Sequence, residues 1–156
     1  MESSFLSFDP QLLQEWKHGD LIGKWFRKYD CFDQDDLRLA INRPQYHFYE
    51  WFSAIHFYKK GYRVLVEQYI YKPHKRKIKI SVKIIGEDGL SFLKRASKDL
   101  KSQPPDLFVY IGKAFFFVEV KAPKDKLREN QEKLFKKIEN RFSTEVVILN
   151  LNAKQF

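Results

Sequence analysis

Asp106-Leu-Phe-Val-Tyr-Ile-Gly112-Lys113-Ala-Phe-Phe-Phe-Val-Glu119-Val-Lys121 contains two apolar runs joined at Gly112-Lys113. Runs of this kind around a two-residue glycine turn predict a β-hairpin. Glycine at the first central position suits a type II′ turn. That turn pairs Ile111 with Ala114, and the same register sets Asp106 opposite Glu119. Their Cβ atoms are then roughly 4.5–5.5 Å apart. Lys121, two residues beyond Glu119, points to the same face. Like charges that face each other destabilise a strand pair, and a divalent cation between them removes the objection, because hard cations take oxygen ligands. The plain alternative is a pair of ordinary charges at a sheet edge. Against it, Phe115-Phe116-Phe117-Val118 is apolar on both faces, which marks a buried strand. A β-bulge would break the facing.

Downstream, residues 125–142 predict an amphipathic helix with a stripe of Leu127, Leu134, Phe135, Ile138 and Phe142. Gln131 falls on that stripe. Two placements fit: a buried amide that meets polar partners near Glu119 and Lys121, or an amide at the stripe's margin that reaches water. The faces around it carry Lys124, Lys126, Arg128, Lys133, Lys136 and Lys137, which suit phosphates or simply form a solvated surface. Thr144 to Leu151 predicts a closing strand.

Upstream, a helix is expected from about Pro44 to Lys60, with Gly61 at its C-terminal cap. Glu50 is the only acidic residue between Asp36 and Glu67. It lies mid-helix among Tyr46, Tyr49, Trp51, Phe52 and Phe57, where a carboxylate needs a cation or a salt-bridge partner. Glu67, on a predicted strand over 63–71, competes with it as a third carboxylate. A second strand is expected over 77–85, after a basic turn at Pro73-His74-Lys75-Arg76, and a helix over 90–102 that Pro104-Pro105 terminates. Residues 1–43 read as a helical extension, with Asp9-Pro10 starting one helix and residues 33–42 forming another. Residues 44–156 form the main domain. Helices mixed with several strands argue an α/β domain with a mixed central sheet.

Charge narrows the function. The 156 residues carry 29 Lys+Arg against 20 Asp+Glu, a formal net of +9. Residues 1–50 hold six basic and nine acidic side chains, and 51–156 hold 23 and 11. A body this basic suits a polyanion, or is merely a basic surface. The longest apolar run, Ala114 to Val118, is far too short to span a bilayer, so no membrane partner is expected. No secretory signal is visible in Met-Glu-Ser-Ser, and Cys31 is alone, so a reducing cytoplasm is the expected compartment. The four histidines show no zinc-ligand spacing.

Pro105-Asp106 followed by Glu119-Val120-Lys121 is similar to the signature of the PD-(D/E)xK nuclease superfamily. The longer stretch Glu119-Val-Lys-Ala-Pro-Lys-Asp-Lys-Leu-Arg-Glu-Asn-Gln131 resembles the VRR-Nuc (virus-type replication-repair nuclease) family. Ala122 stands where that family usually has Gly, Arg128 where Ser is common, and Phe135 where Trp is frequent. The resemblance covers 104–135 clearly and extends over 44–152. It implies a restriction-endonuclease-like core in the order αβββαβ. It implies Mg²⁺ or Mn²⁺ held by Asp106, Glu119 and the main-chain carbonyl of Val120, with Glu50 as the first-helix carboxylate. It also implies Lys121 beside the attacking water and Gln131 in support.

The expected activity is therefore metal-dependent hydrolysis of DNA, with RNA not excluded, selective for branched, flapped or junction structure. A restriction, defence or toxin nuclease is the alternative biology, and a non-cleaving nucleic-acid-binding module the alternative class. Lys75, Arg76, Lys77, Lys113, Lys124, Lys126 and Arg128 are the expected phosphate contacts. A homodimer is expected if both strands are cut.

Overall fold

The computed structural model describes residues 1–155. In chain order its elements are β1 (Glu2–Phe8), α1 (Pro10–Lys17), α2 (Asp20–Lys28), α3 (Gln34–Asn42), α4 (Phe48–Lys59), β2 (Arg63–Val66), α5 (Lys75–Leu100), β3 (Leu107–Ile111), β4 (Ala114–Lys121), α6 (Glu129–Phe142) and β5 (Val146–Ala153). Local chemistry explains several boundaries. Asp9 caps α1 by accepting from the Gln11 N–H, with Pro10 at the first helical position. Asp33 and Asp36 form a reciprocal capping box on α3. Gly61 takes a positive φ just past the end of α4.

The strands form one mixed sheet in the order β1-β5-β4-β3-β2. β2, β3 and β4 are antiparallel neighbours, while β4–β5 and β5–β1 run parallel. The α4-β2-β3-β4-α6-β5 succession reproduces the expected αβββαβ order, with α5 inserted between β2 and β3. The hairpin register is the expected one, with Ile111 opposite Ala114 and Leu107 opposite Val118. Gly112 alone takes a positive φ in the turn, as a type II′ turn requires.

Strand alternation divides the core into two layers. Val64, Val66, Leu107, Val109, Val118, Val120, Leu149 and Leu151 face α1–α4. Leu65, Phe108, Phe117, Val146 and Ile148 face α5 and α6. The first layer is dense in aromatics: Phe32 stacks on Trp51 at 3.7 Å between ring centroids, and Trp16 meets Trp25, Phe48 and Trp51. Each such buried side chain stabilises the fold by roughly 1.5–3 kcal/mol. The parity that splits the layers also sends Glu119 and Lys121 to the same side as Phe117, toward α6.

Three expected elements differ. Residues 77–85 are helical rather than a strand. Ile78, Ile80, Val82 and Ile84 alternate as a strand would, but the side chains that seat the segment are Lys77 and Ser81, both wholly buried. Lys77 Nζ donates to the carbonyls of Val66 and Glu67, and Ser81 Oγ donates to the carbonyl of Tyr69. Four residues apart, they share one helical face; on a strand they would stand about 13 Å apart. The strand expected over 63–71 also stops at Val66, because Glu67 and Gln68 both adopt left-handed backbone. The third difference lies in 1–43, which is not purely helical. Residues 2–8 form β1, an edge strand parallel to β5. No helix of the described residues is long and apolar enough to cross a membrane.

Candidate active site

Three carboxylates converge where β2 ends and β3 begins. Glu50 comes from the second residue past the start of α4, Glu67 from the turn after β2, and Asp106 from the residue before β3. One oxygen of each lies within 4.8 Å of the others. Two oxygens on opposite sides of one cation at ligand distances of roughly 2.0–2.6 Å are separated by about that much, so the three can share an ion. Glu50 Oε2 is buried with no hydrogen-bond partner among the described residues, an acceptor that a cation would satisfy. The residues present therefore fit a divalent metal. A cavity of about 520 Å³, whose lining includes Tyr49, Val120 and Asp125, opens onto Glu50 and Glu67.

The electrostatics agree with the geometry. Burial pushes the Asp106 carboxyl well above its ordinary value, and the charges of Glu119 and Glu50 push it further. Burial, then Glu67, raises Glu50 to about 7. Carboxylates that raise one another in this way favour any cation that neutralises them. Asp106 is pinned from two directions: its Oδ2 accepts from the Val120 N–H at 2.8 Å, and its carbonyl accepts from the Glu67 N–H at 2.7 Å. The Glu67 carboxylate is held at 2.9 Å by His47 Nδ1, and that hydrogen bond raises the His47 pKa. His47, Glu67 and Gln68 all take positive φ, so unfavourable backbone is concentrated at the site.

Glu119, Lys121 and Gln131 form a second, buried constellation. Gln131 Nε2 donates to Glu119 Oε2 at 3.0 Å, and Lys121 Nζ donates to Gln131 Oε1 at 3.1 Å. Lys121 Nζ and Glu119 Oε2 are 3.1 Å apart. The same Gln131 oxygen accepts from the Arg128 N–H at the start of α6, so the helix terminus and the site share one amide. Of the two placements open to Gln131, it occupies the buried one. Glu119 is not one of the three clustered oxygens. Its charge still acts on Asp106, as the hairpin register anticipates.

The basic residues separate. Lys77 is the clear correction: at 0% exposure, paired with Asp36 at 2.5 Å, it is out of reach of any phosphate. Arg76 is exposed, but its Nε donates to Asp33. Lys113 sits in the hairpin turn, about 20 Å of strand away from Glu119. Lys75, Lys124, Lys126 and Arg128 are exposed, and the last three lie on the loop between β4 and α6, adjoining Gln131. A basic surface that the sequence left unassigned is formed by Lys72, Lys94, Lys98 and Lys101, which line a cavity of about 550 Å³. Through Tyr71 and Gln103 this cavity adjoins the cleft beside Asp106. The spacing of Lys94, Lys98 and Lys101 on one helical face is visible in the sequence; which face meets the site is not.

The VRR-NUC domain family model matches residues 46–150. Crystal structures of paFAN1 bound to gapped DNA with a one-nucleotide and a two-nucleotide 5′ flap are similar to the chain at 15% identity, with TM-scores of 0.40 and 0.38. Each similarity covers 92% of this chain and 22% of that one, so the chain spans about a fifth of their length. No curated protein matches the chain.

Proposed function

The chain belongs to the VRR-NUC domain family, a nuclease family, and from that membership we propose that it is a Mg²⁺- or Mn²⁺-dependent endonuclease that hydrolyses DNA phosphodiester bonds. The observation that carries the proposal is the convergence of Glu50, Glu67 and Asp106 within 4.8 Å, beside the buried Lys121–Glu119–Gln131 set. Pro105-Asp106 and Glu119-Val120-Lys121, beside it, support reading the site as a PD-(D/E)xK centre.

In this mechanism Asp106, Glu50 and Glu67 would hold a divalent cation, with Glu119 and the Val120 main chain beside them. A divalent ion there supplies a more acidic water and a positive charge for the phosphate. Glu119 and Gln131 hold the Lys121 ammonium in one orientation. From it Lys121 orients the attacking water and offsets negative charge as the water oxygen bonds to phosphorus and the leaving oxygen departs. Gln131 makes no contact with substrate in this scheme and acts by positioning Lys121 and Glu119.

Lys72, Lys94, Lys98 and Lys101 on one side, with Lys124, Lys126 and Arg128 on the other, flank the cleft and suit the DNA backbone. Contacts to phosphates position a duplex without reading its sequence. With sequence unread, we propose that the selected feature is branched or flapped shape, as in DNA processing or repair. Cutting both strands of a duplex needs two such sites, which a homodimer supplies.

The test is cleavage of linear, flapped and four-way DNA with Mg²⁺ or Mn²⁺. Activity is expected in wild type and lost by a factor of ~10²–10³ in Glu119→Ala, the scale of removing one preorganised polar group from a site. Cleavage that persists in Glu119→Ala or in excess EDTA would sink the proposed site. DNA binding without metal or cleavage on any substrate would mark a non-cleaving module instead.

A further inference from the structure

The start of α3 and the start of α5 are joined by three acid–base pairs. Asp33 Oδ2 meets Arg76 Nε at 3.0 Å, Asp35 Oδ2 meets His74 Nδ1 at 3.0 Å, and Asp36 Oδ1 meets Lys77 Nζ at 2.5 Å. Of the basic stretch that suited phosphates in the sequence, His74, Arg76 and Lys77 thus pair with the acidic N-terminal region, while Lys75 stays exposed. The first two pairs are partly exposed and contribute little. The third is different, since Asp36 is 3% exposed and Lys77 not at all.

Lys77 can donate three hydrogen bonds, and each finds an acceptor. One goes to Asp36, one to the Val66 carbonyl at 2.5 Å and one to the Glu67 carbonyl at 3.1 Å. The two carbonyls flank the point where β2 ends and the chain enters left-handed backbone at Glu67 and Gln68, with φ of 51° and 56°. Left-handed backbone at two successive non-glycine residues is costly and persists only where surrounding contacts enforce it. That conformation turns the Glu67 side chain back toward Glu50 and Asp106. The Glu67 N–H is tied to the Asp106 carbonyl at 2.7 Å and its carboxylate to His47. Lys77 fixes the carbonyl side of the same residue.

We propose that Lys77, charge-balanced by Asp36 of α3, is a positioning residue for the metal site: it holds the 66–68 turn so that Glu67 stands at ligand distance. The N-terminal region, through α3, is then part of the site's construction rather than a separate cap. This rests on the nuclease reading only in taking Glu67 as a ligand.

The test variant is Lys77→Met with Asp36→Asn. It removes both buried charges together, keeps a side-chain oxygen to cap α3, and avoids leaving one charge uncompensated. Mn²⁺ binding is measured by calorimetry on the full chain, below the unfolding temperature of each protein, beside DNA cleavage across a Mn²⁺ series. The expected result is a folded protein whose Mn²⁺ affinity falls at least tenfold. Its cleavage should need correspondingly more metal, with KM for DNA unchanged. A merely structural pair would lower the unfolding temperature and leave Mn²⁺ affinity within twofold of wild type, which overturns the proposal. If the double variant does not fold, Lys77→Arg alone, which keeps the charge pair with Asp36 but replaces the compact ammonium with a planar guanidinium, must weaken Mn²⁺ at least threefold or the proposal fails. Wild type that neither binds Mn²⁺ nor cuts DNA removes the nuclease reading and this inference together; wild type that does both beside an unaffected variant removes only this inference.

Discussion

Replacing Glu50 by glutamine separates the cost of the metal site from its use. Glu50 lies among other carboxylates with Oε2 shielded and unpartnered. Burial, then Glu67, raises its pKa from 4.5 to about 7. An acid whose pKa is raised by folding binds its proton more tightly folded than unfolded, so stability falls as pH rises from 4.5 to about 7 and stays lower above that. At about 1.4 kcal/mol per unit, the interval corresponds to up to about 3 kcal/mol. Glutamine has no proton to lose and no charge to bury. In EDTA at pH 8, Glu50→Gln should therefore be more stable than wild type by up to about 3 kcal/mol, or roughly 6–12 °C for a chain of this size. At pH 5, where the carboxyl is mostly protonated, the gain should be much smaller. Saturating Mn²⁺ should reverse the order, since an ion at a thousand times its Kd adds about 4.1 kcal/mol to a protein that holds it and the variant holds it poorly. Thermal and urea unfolding at the two pH values, with EDTA and with Mn²⁺, measure all four quantities. A variant no more stable than wild type at pH 8, or equally stabilised at both pH values, would refute the account.

Gln131→Leu removes three hydrogen bonds, to Glu119, Lys121 and the Arg128 N–H. It should cost about 1–3 kcal/mol in urea unfolding and slow single-turnover cleavage at least tenfold, because Lys121 is left with one of its two anchors. Replacing Lys94, Lys98 and Lys101 together by alanine should flatten the dependence of log DNA affinity on log salt by up to about 0.9 for each phosphate no longer neutralised. Lys113→Ala, at the far end of the hairpin, should leave that slope unchanged.

What the sequence disclosed and what it concealed differ by the range of the interactions involved. The hairpin was legible because a two-residue glycine turn fixes register, and register fixes which side chains face one another. Gln131 was legible as a polar break in an apolar stripe, because helical periodicity says which face is buried. Residues 77–85 mislead because Ile78, Ile80, Val82 and Ile84 alternate as a half-buried strand would. What decides their state is the fit of Lys77 and Ser81 to three carbonyls of the 66–69 turn, a tertiary fact with no local signature. Lys77 failed as a phosphate contact for the same reason: a lysine reads as exposed until its buried partner, 41 residues earlier in the chain, is known. Glu67 entered only as a competitor to Glu50, since nothing in a strand-like run announces left-handed backbone. β1 stayed hidden because a short Ser- and Phe-containing stretch, with its partner at the other end of the chain, offers neither a turn nor a long alternation.

That last strand sets a schedule for synthesis. Glu2 pairs with Val147, Phe8 pairs with Ala153, and the Phe8 carbonyl accepts from the Lys154 N–H. At roughly 5–20 residues per second, a ribosome needs on the order of ten to thirty seconds to make what separates the two strands. Throughout that interval residues 2–8 have no native neighbour and show Phe5, Leu6 and Phe8 beside unpaired amides, the composition that seeks other strands. Sheet closure is the most non-local step in the fold and a late one, so of the five strands residues 2–8 wait longest for their partner.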